Sequence, residues 1–161
     1  MRKHTKRKVW PLRDPISHAM SGIQVAVEHS NIKTYMAASH ASMKALVEGK
    51  AKRIDLQHIT MAHNMVCALM KQGFGEPHAE DMEASAAALD SIARRAREKG
   101  RILGAGPELN ALNFMLQIHD AMMDVISVSE YNAAVMHSTK VVNSGRSQEL
   151  NLTGIREEEH V

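Results

Sequence analysis

The sequence predicts an all-α protein, a bundle of about five to six antiparallel helices with a flexible basic N-terminal arm. Through most of the chain, apolar residues recur three and four positions apart, which is the spacing of one face of an α-helix. Proline and glycine stand where such segments start and stop. No segment alternates apolar and polar residues between turn dipeptides, so we expect no β-strands.

Two helices are predicted between Asp14 and Gly49. The dipeptide Asp14-Pro15 is typical of a helix start, because aspartate caps the first amides and proline at the first helical position loses no hydrogen bond. A break is expected near Ser30-Asn31, and Gly49 ends the second helix. The inward face of that second helix is predicted to carry Ile32, Tyr35 with Met36, Ser39, Met43 and Leu46 with Val47.

The third helix is predicted to begin near Asp55 and to stop at Gly73, and the fourth to run from Glu76-Pro77 to Gly100. Alanines on the fourth helix would let a neighbouring helix approach closely. The predicted inward faces carry Ile59, Ala62, Val66, Leu69 and Met70 on the third helix, and Met82, Ala86, Leu89, Ala93 and Ala96 on the fourth.

Pro107 is predicted to open the fifth helix. A capping box is predicted at Ser127-Val-Ser-Glu130, where serine and glutamate each satisfy an amide of the new turn. The sixth helix follows it, and its apolar spacing ends at Asn143. The inward faces are Leu109, Leu112, Leu116, His119, Met123 and Ile126 on the fifth helix, and Tyr131, Val135, Ser138 and Val142 on the sixth.

The length of 161 residues suits one domain, which would bury roughly 70% of the surface of the unfolded chain. We expect residues 1–13 to form the arm, 14–143 the bundle and 144–161 a polar tail. Aromatic residues make up only 3% of the chain while methionine occurs 12 times. The core should therefore be filled by Met, Leu, Ile and Ala.

The single cysteine, Cys67, excludes a disulfide within the chain and is interpreted as a small buried hydrophobic residue rather than a nucleophile. No window approaches the ~20 apolar residues of a membrane span. The segment 9–12 is too short for the apolar region of a signal peptide. We therefore expect a cytoplasmic protein without a membrane partner.

The arm is strongly basic: residues 1–13 hold six Lys/Arg and no acid (+6), whereas the remainder holds 14 Lys/Arg against 18 Asp/Glu (−4). It could contact nucleic-acid phosphates, dock on an acidic protein surface with Trp10 as the anchor, or fold back as a solvated tail. We favour the protein partner. The predicted partner-binding residues are Arg2, Lys3, Lys6, Arg7, Lys8, Trp10 and Arg13, and a secondary basic patch comprises Arg94, Arg95, Arg97, Lys99 and Arg101.

Ten histidines raise the question of a metal site, but His58 and His63 are five positions apart and diverge around a helix. The dipeptide His119-Asp120, with Asp124 one turn later, is shared with HD-type phosphohydrolases. These three are weak metal-ligand candidates, because His119 falls in the apolar seam and is better explained as a partly buried imidazole bonded to a carboxylate or carbonyl of a neighbouring helix. The sequence predicts no catalytic residue, no cofactor and no enzyme.

Four stretches of the sequence, in this order along the chain, indicate a resemblance to a known group of proteins: Lys8–Ala19, Gly106–Leu112, Ile118–Asp120 and Ser127–Tyr131. In them the chain resembles small, basic-tailed helical proteins encoded by phages, prophages and plasmids of proteobacteria, over most of residues 8–145. The resemblance implies a bacterial cytoplasm and an action on a host or phage macromolecule, such as inhibition of a host defence or regulatory complex. No activity is established for that group, so it transfers no catalytic residue.

The sequence therefore predicts a binding protein without catalysis, whose partner is a host or phage protein complex. The first alternative is nucleic-acid binding through the arm and the Arg94–Arg101 cluster. The second is a metal-dependent HD-type hydrolase at His119 and Asp120. A homo-oligomer is also compatible with the sequence, because helix faces lined by alanine and methionine can pair.

Overall fold

A computed structural model describes residues 30–74 and 78–144, most of which lie in five α-helices. The helices are α1 (Ser30–Val47), α2 (Arg53–Met70), α3 (Ala79–Lys99), α4 (Gly106–Met123) and α5 (Val128–Asn143). No strand occurs in these residues, so the all-α prediction is confirmed. The arm, the helix predicted from Asp14, the start predicted at Glu76-Pro77 and the tail from residue 145 onward lie outside the described residues.

The predicted helix boundaries are confirmed where the local chemistry is strongest. Gly100 ends α3 in the left-handed conformation, with φ of 69°, and its N–H donates to the carbonyl of Ala96 at 2.8 Å. The capping box before α5 forms as predicted: Ser127 N donates to Glu130 Oε2 at 2.7 Å, and Glu130 N donates to Ser127 Oγ at 3.2 Å. These ends depend on residues within one turn of each other.

The central helix of the bundle is α2, which packs against each of the other four helices. Short connections, at 48–52 and at 100–105, join α1 to α2 and α3 to α4, and both pairs are in contact. Such connections make sequential helices antiparallel neighbours. At one end of the bundle, the Gln72 side-chain amide donates to the carbonyl of Glu130 at 3.4 Å, joining the end of α2 to the start of α5.

The core is aliphatic and rich in methionine, as the composition predicted. Its largest fully buried apolar side chains are Leu46, Leu56, Ile59, Val66, Leu69, Ile92, Leu112, Met115, Leu116 and Ile126. Among the predicted core positions whose side chains the structure describes, two are wrong. Val47 is 60% exposed because it is the last residue of α1, and Val135 is 38% exposed because α5 turns the adjacent Ala134 inward instead.

A charged pair fastens α3 to α4. The guanidinium of Arg95 donates from Nη1 to Glu108 Oε2 at 2.8 Å and from Nη2 to Glu108 Oε1 at 2.6 Å, and also to the carbonyl of Leu103 at 2.7 Å. Glu108 further accepts from the backbone of Ala105 at 2.7 Å, which caps α4. The hydrogen bonds from Arg95 lower the pKa of Glu108 to about 2. The pair therefore fixes the connection between the two helices as well as the helices themselves.

Candidate functional site

A polar chain links α1 to α4. His119 continues the buried face that begins with Leu112 and Leu116, so its ring lies inside the bundle, while Asp120 stands at the edge of that face. Asp120 Oδ1 lies 3.3 Å from His119 Nδ1, and Asp120 Oδ2 lies 2.7 Å from Nε2 of His40 on α1. One carboxylate thus joins a buried imidazole to a half-exposed one.

The geometry fixes the protonation of His119. A carboxylate only accepts hydrogen bonds, so Nδ1 carries a proton, and in the neutral ring Nε2 then keeps a lone pair. This Nε2 is buried and has no hydrogen-bond partner within residues 30–74 and 78–144. Burial lowers the pKa of His119, against an opposing effect of Asp120, and the Tyr35 ring packs edge-on at 6.1 Å between ring centroids. The imidazole is therefore neutral around pH 7.

The hydrolase alternative named His119, Asp120 and Asp124 as metal ligands. Asp124 follows the end of α4, where its N–H donates to the carbonyl of Asp120 at 3.1 Å. Within residues 30–74 and 78–144, no three His, Cys, Asp or Glu side chains converge on a point that could hold a metal ion. His119 and Asp120 are hydrogen-bonded to each other, and Asp120 connects α4 to α1 through His40.

We expect acid to destabilise the wild type more than a His119→Gln variant. The folded-state pKa of His119 lies below 6.5, so the unfolded chain binds the proton first, and this contribution is present above about pH 6.5 and lost as the pH falls through the folded value. Glutamine gains no proton. Urea unfolding between about pH 7 and about pH 5 measures both slopes, and parallel pH profiles would contradict the expectation.

A second set of polar contacts joins α2 to α3 through His63, which also contacts Cys67 of its own helix. Ser85 Oγ donates to the carbonyl of Met82 at 3.0 Å and therefore accepts from His63 Nδ1 at 2.9 Å. His63 Nε2 is then an acceptor for the Cys67 thiol, 3.4 Å away. Burial raises the pKa of Cys67 and lowers that of His63, so the pair is a neutral thiol and a neutral imidazole. This agrees with an inert cysteine rather than a thiolate nucleophile.

The two histidines of α2 point to different neighbours, as their five-residue spacing predicted. His63 reaches Ser85 of α3, whereas His58 Nδ1 lies 3.0 Å from Ser42 Oγ of α1. Ser42 in turn donates to Asp55 Oδ1 at 2.9 Å. The pairing of His63 with Cys67 was readable from their spacing of four on one helix. The serines come from other helices and carry no such local signal.

One residue of the predicted basic patch, Arg95, is paired with an acidic side chain within the bundle. Arg94, Arg97, Lys99 and Arg101 are exposed at the end of α3, whereas the guanidinium of Arg95 is bound to Glu108. The residues predicted to bind a partner through the arm, from Arg2 to Arg13, lie outside the described residues.

Comparison of the chain with protein-family models, with curated proteins and with solved structures finds no match. Among the helices of residues 30–144, none combines the length and the apolar character needed to cross a bilayer.

Proposed function

We propose that the chain is a non-catalytic, stoichiometric binding protein of a bacterial mobile element, which grips a host or phage protein complex and inhibits it. The observation that carries the proposal is the concentration of six cations and no acid in residues 1–13, together with the only tryptophan of the chain. Basic charge speeds encounter with an acidic surface, and a buried tryptophan supplies much of the energy of an interface.

The contacts of the polar side chains in the bundle favour a binding role over a catalytic role. The imidazoles of His40, His58 and His63 and the carboxylates of Asp120 and Glu108 all contact protein groups on other helices or in the connections between them. These contacts hold helices together. In this proposal the bundle is a rigid body that presents the arm and its own exposed surface to the partner.

The test immobilises full-length variants of the protein, incubates each with a bacterial lysate and compares the partner that each one recovers. One variant carries Trp10→Ala, and another has the six cations of the arm changed to glutamine. A matched control changes the exposed Lys71 and Lys140 of the body to glutamine. We expect the control to retain the wild-type partner and both arm variants to lose it at least ~10-fold. Equal recovery by wild type and arm variants would overturn the proposal.

The exposed end of α3 favours nucleic-acid binding as the second candidate, because Arg94, Arg97, Lys99 and Arg101 could extend a basic surface. Titration of duplex DNA at low and moderate salt separates the two candidates. If duplex DNA binds the wild type, if this binding weakens steeply with salt, and if the neutralised-arm variant does not bind, the partner is nucleic acid rather than a protein. Absence of duplex binding at low salt removes this second candidate.

A further inference from the structure

The buried imidazole of His119 has one ring nitrogen without a hydrogen-bond partner in the part of the chain that the structure describes. The side chain is only 1% exposed, and its Nε2 reaches no polar group within residues 30–74 and 78–144. Buried polar atoms of native proteins are hydrogen-bonded as a rule, and an unpaired one lowers stability. This nitrogen therefore points to a bound molecule.

The other ring nitrogen decides what kind of molecule this can be. Nδ1 of His119 donates to Asp120 Oδ1 at 3.3 Å, so in the neutral ring Nε2 can only accept a hydrogen bond. The bound molecule must therefore carry an N–H or O–H group. It must also be small, because His119 shares the buried face of α4 with Met115, Leu116 and Met123.

A metal ion fits this position poorly. A lone pair on Nε2, with Nδ1 bonded to a carboxylate, is also the arrangement of metal-ligating histidines. However, a metal ion needs further ligands, and within the described residues no three His, Cys, Asp or Glu side chains meet at one point. A cation without such ligands is costly to bury. Water is small, uncharged and able to donate, so it meets each requirement.

A second polar group lies beside the imidazole, on α1. The ring of Tyr35 packs edge-on against His119, with 6.1 Å between the ring centroids. Burial raises the pKa of the Tyr35 hydroxyl, and this hydroxyl makes no hydrogen bond within the described residues. A buried water needs about two to four polar partners. Nε2 of His119 as an acceptor and the Tyr35 hydroxyl as a donor supply two of them.

We propose that a buried water molecule bridges His119 and Tyr35, donating to Nε2 of the imidazole and accepting from the tyrosine hydroxyl. This bridge closes a ring of hydrogen bonds between α1 and α4. His40 of α1 contacts Asp120, Asp120 contacts His119, and the water leads from His119 back to Tyr35 of α1. The proposal does not depend on the basic arm or on its partner, so the two proposals can fail separately.

A crystal structure of the full-length protein tests the bridge directly. We expect electron density for one water within hydrogen-bond distance of both His119 Nε2 and the Tyr35 hydroxyl. Three results would refute the proposal. They are a direct hydrogen bond between the two side chains, a donor from residues 1–29 at Nε2, and an Nε2 that has no partner at all.

A double-mutant cycle tests the bridge in solution by urea unfolding. Tyr35→Phe removes the hydroxyl, and His119→Leu removes the ring nitrogens but keeps a buried apolar side chain. In the wild-type background, Tyr35→Phe should raise the unfolding equilibrium constant about fivefold, as the loss of one hydrogen bond does. In the His119→Leu background the same change should have a much smaller effect, because the water has already lost a partner.

Tyr131→Phe is the matched control, because Tyr131 is a half-buried tyrosine of α5 that is not part of the proposed bridge. Its effect on the unfolding equilibrium should be the same in both backgrounds. If Tyr35→Phe also has equal effects in both backgrounds, the proposed bridge is wrong. The crystal structure needs no variant, so it decides the question even if His119→Leu does not fold.

Discussion

Changing Glu108 to glutamine is expected to lower the free energy of unfolding at pH 7 by about 2 to 3 kcal/mol. The side chain of Glu108 is only 13% exposed and accepts two hydrogen bonds from Arg95 and one from the backbone of Ala105. The variant leaves the guanidinium of Arg95 partly buried without its counter-charge, which is more costly than the absence of the whole pair. Urea unfolding of both proteins measures the difference.

The ion pair between Arg95 and Glu108 should also make the stability of the protein depend on pH. Because the pKa of Glu108 is lowered to about 2 in the folded state, its stabilisation is fully present above about pH 4.5 and is lost as the pH falls towards 2. The wild type should therefore lose its advantage over Glu108→Gln across this window. Glu48→Gln is the matched control, because Glu48 contacts Lys44 and Lys50 at an exposed site that water and salt screen. If the two variants had equal effects, the structural role given to Glu108 would be wrong.

The second large effect is expected in the core. Met65 of α2 is 7% exposed, whereas Met61, one turn earlier, is 53% exposed. Met65→Ala should cost about 3 kcal/mol, because it removes buried apolar atoms and leaves a cavity in the core. The identical change at Met61 should stay within about 0.5 kcal/mol. Similar losses at both positions would show that α2 is oriented differently from the structure.

The helices and most of the core were predictable because they depend on spacing within one segment. A 3.6-residue period fixes which side chains share a face, and the capping box at Ser127 and Glu130 lies within one turn. The choice between Ala134 and Val135 was not predictable in this way. Adjacent residues are 100° apart on a helix, and the shape of the neighbouring helix decides which of them faces inward.

Most of the polar contacts between helices could not be predicted from the sequence. Asp120 meets His40 across eighty positions, and Arg95 meets Glu108 across a connection whose course only the fold determines. The prediction for His119 was correct in kind, since its ring is buried and bonded to a carboxylate. That carboxylate belongs to Asp120 of its own helix rather than to a neighbouring one. Interhelical pairing requires a register that local periodicity does not contain.

The thiol of Cys67 has a practical consequence for following the motions of the bundle. It is the sole sulfhydryl of the chain, it is partly buried on α2, and it donates to His63, which in turn contacts Ser85 of α3. Alkylation of that sulfur is therefore expected to be faster in molecules whose Cys67–His63 contact has opened, because burial raises the pKa of the thiol. The rate of modification by a thiol reagent then reports how often this contact opens in the native protein.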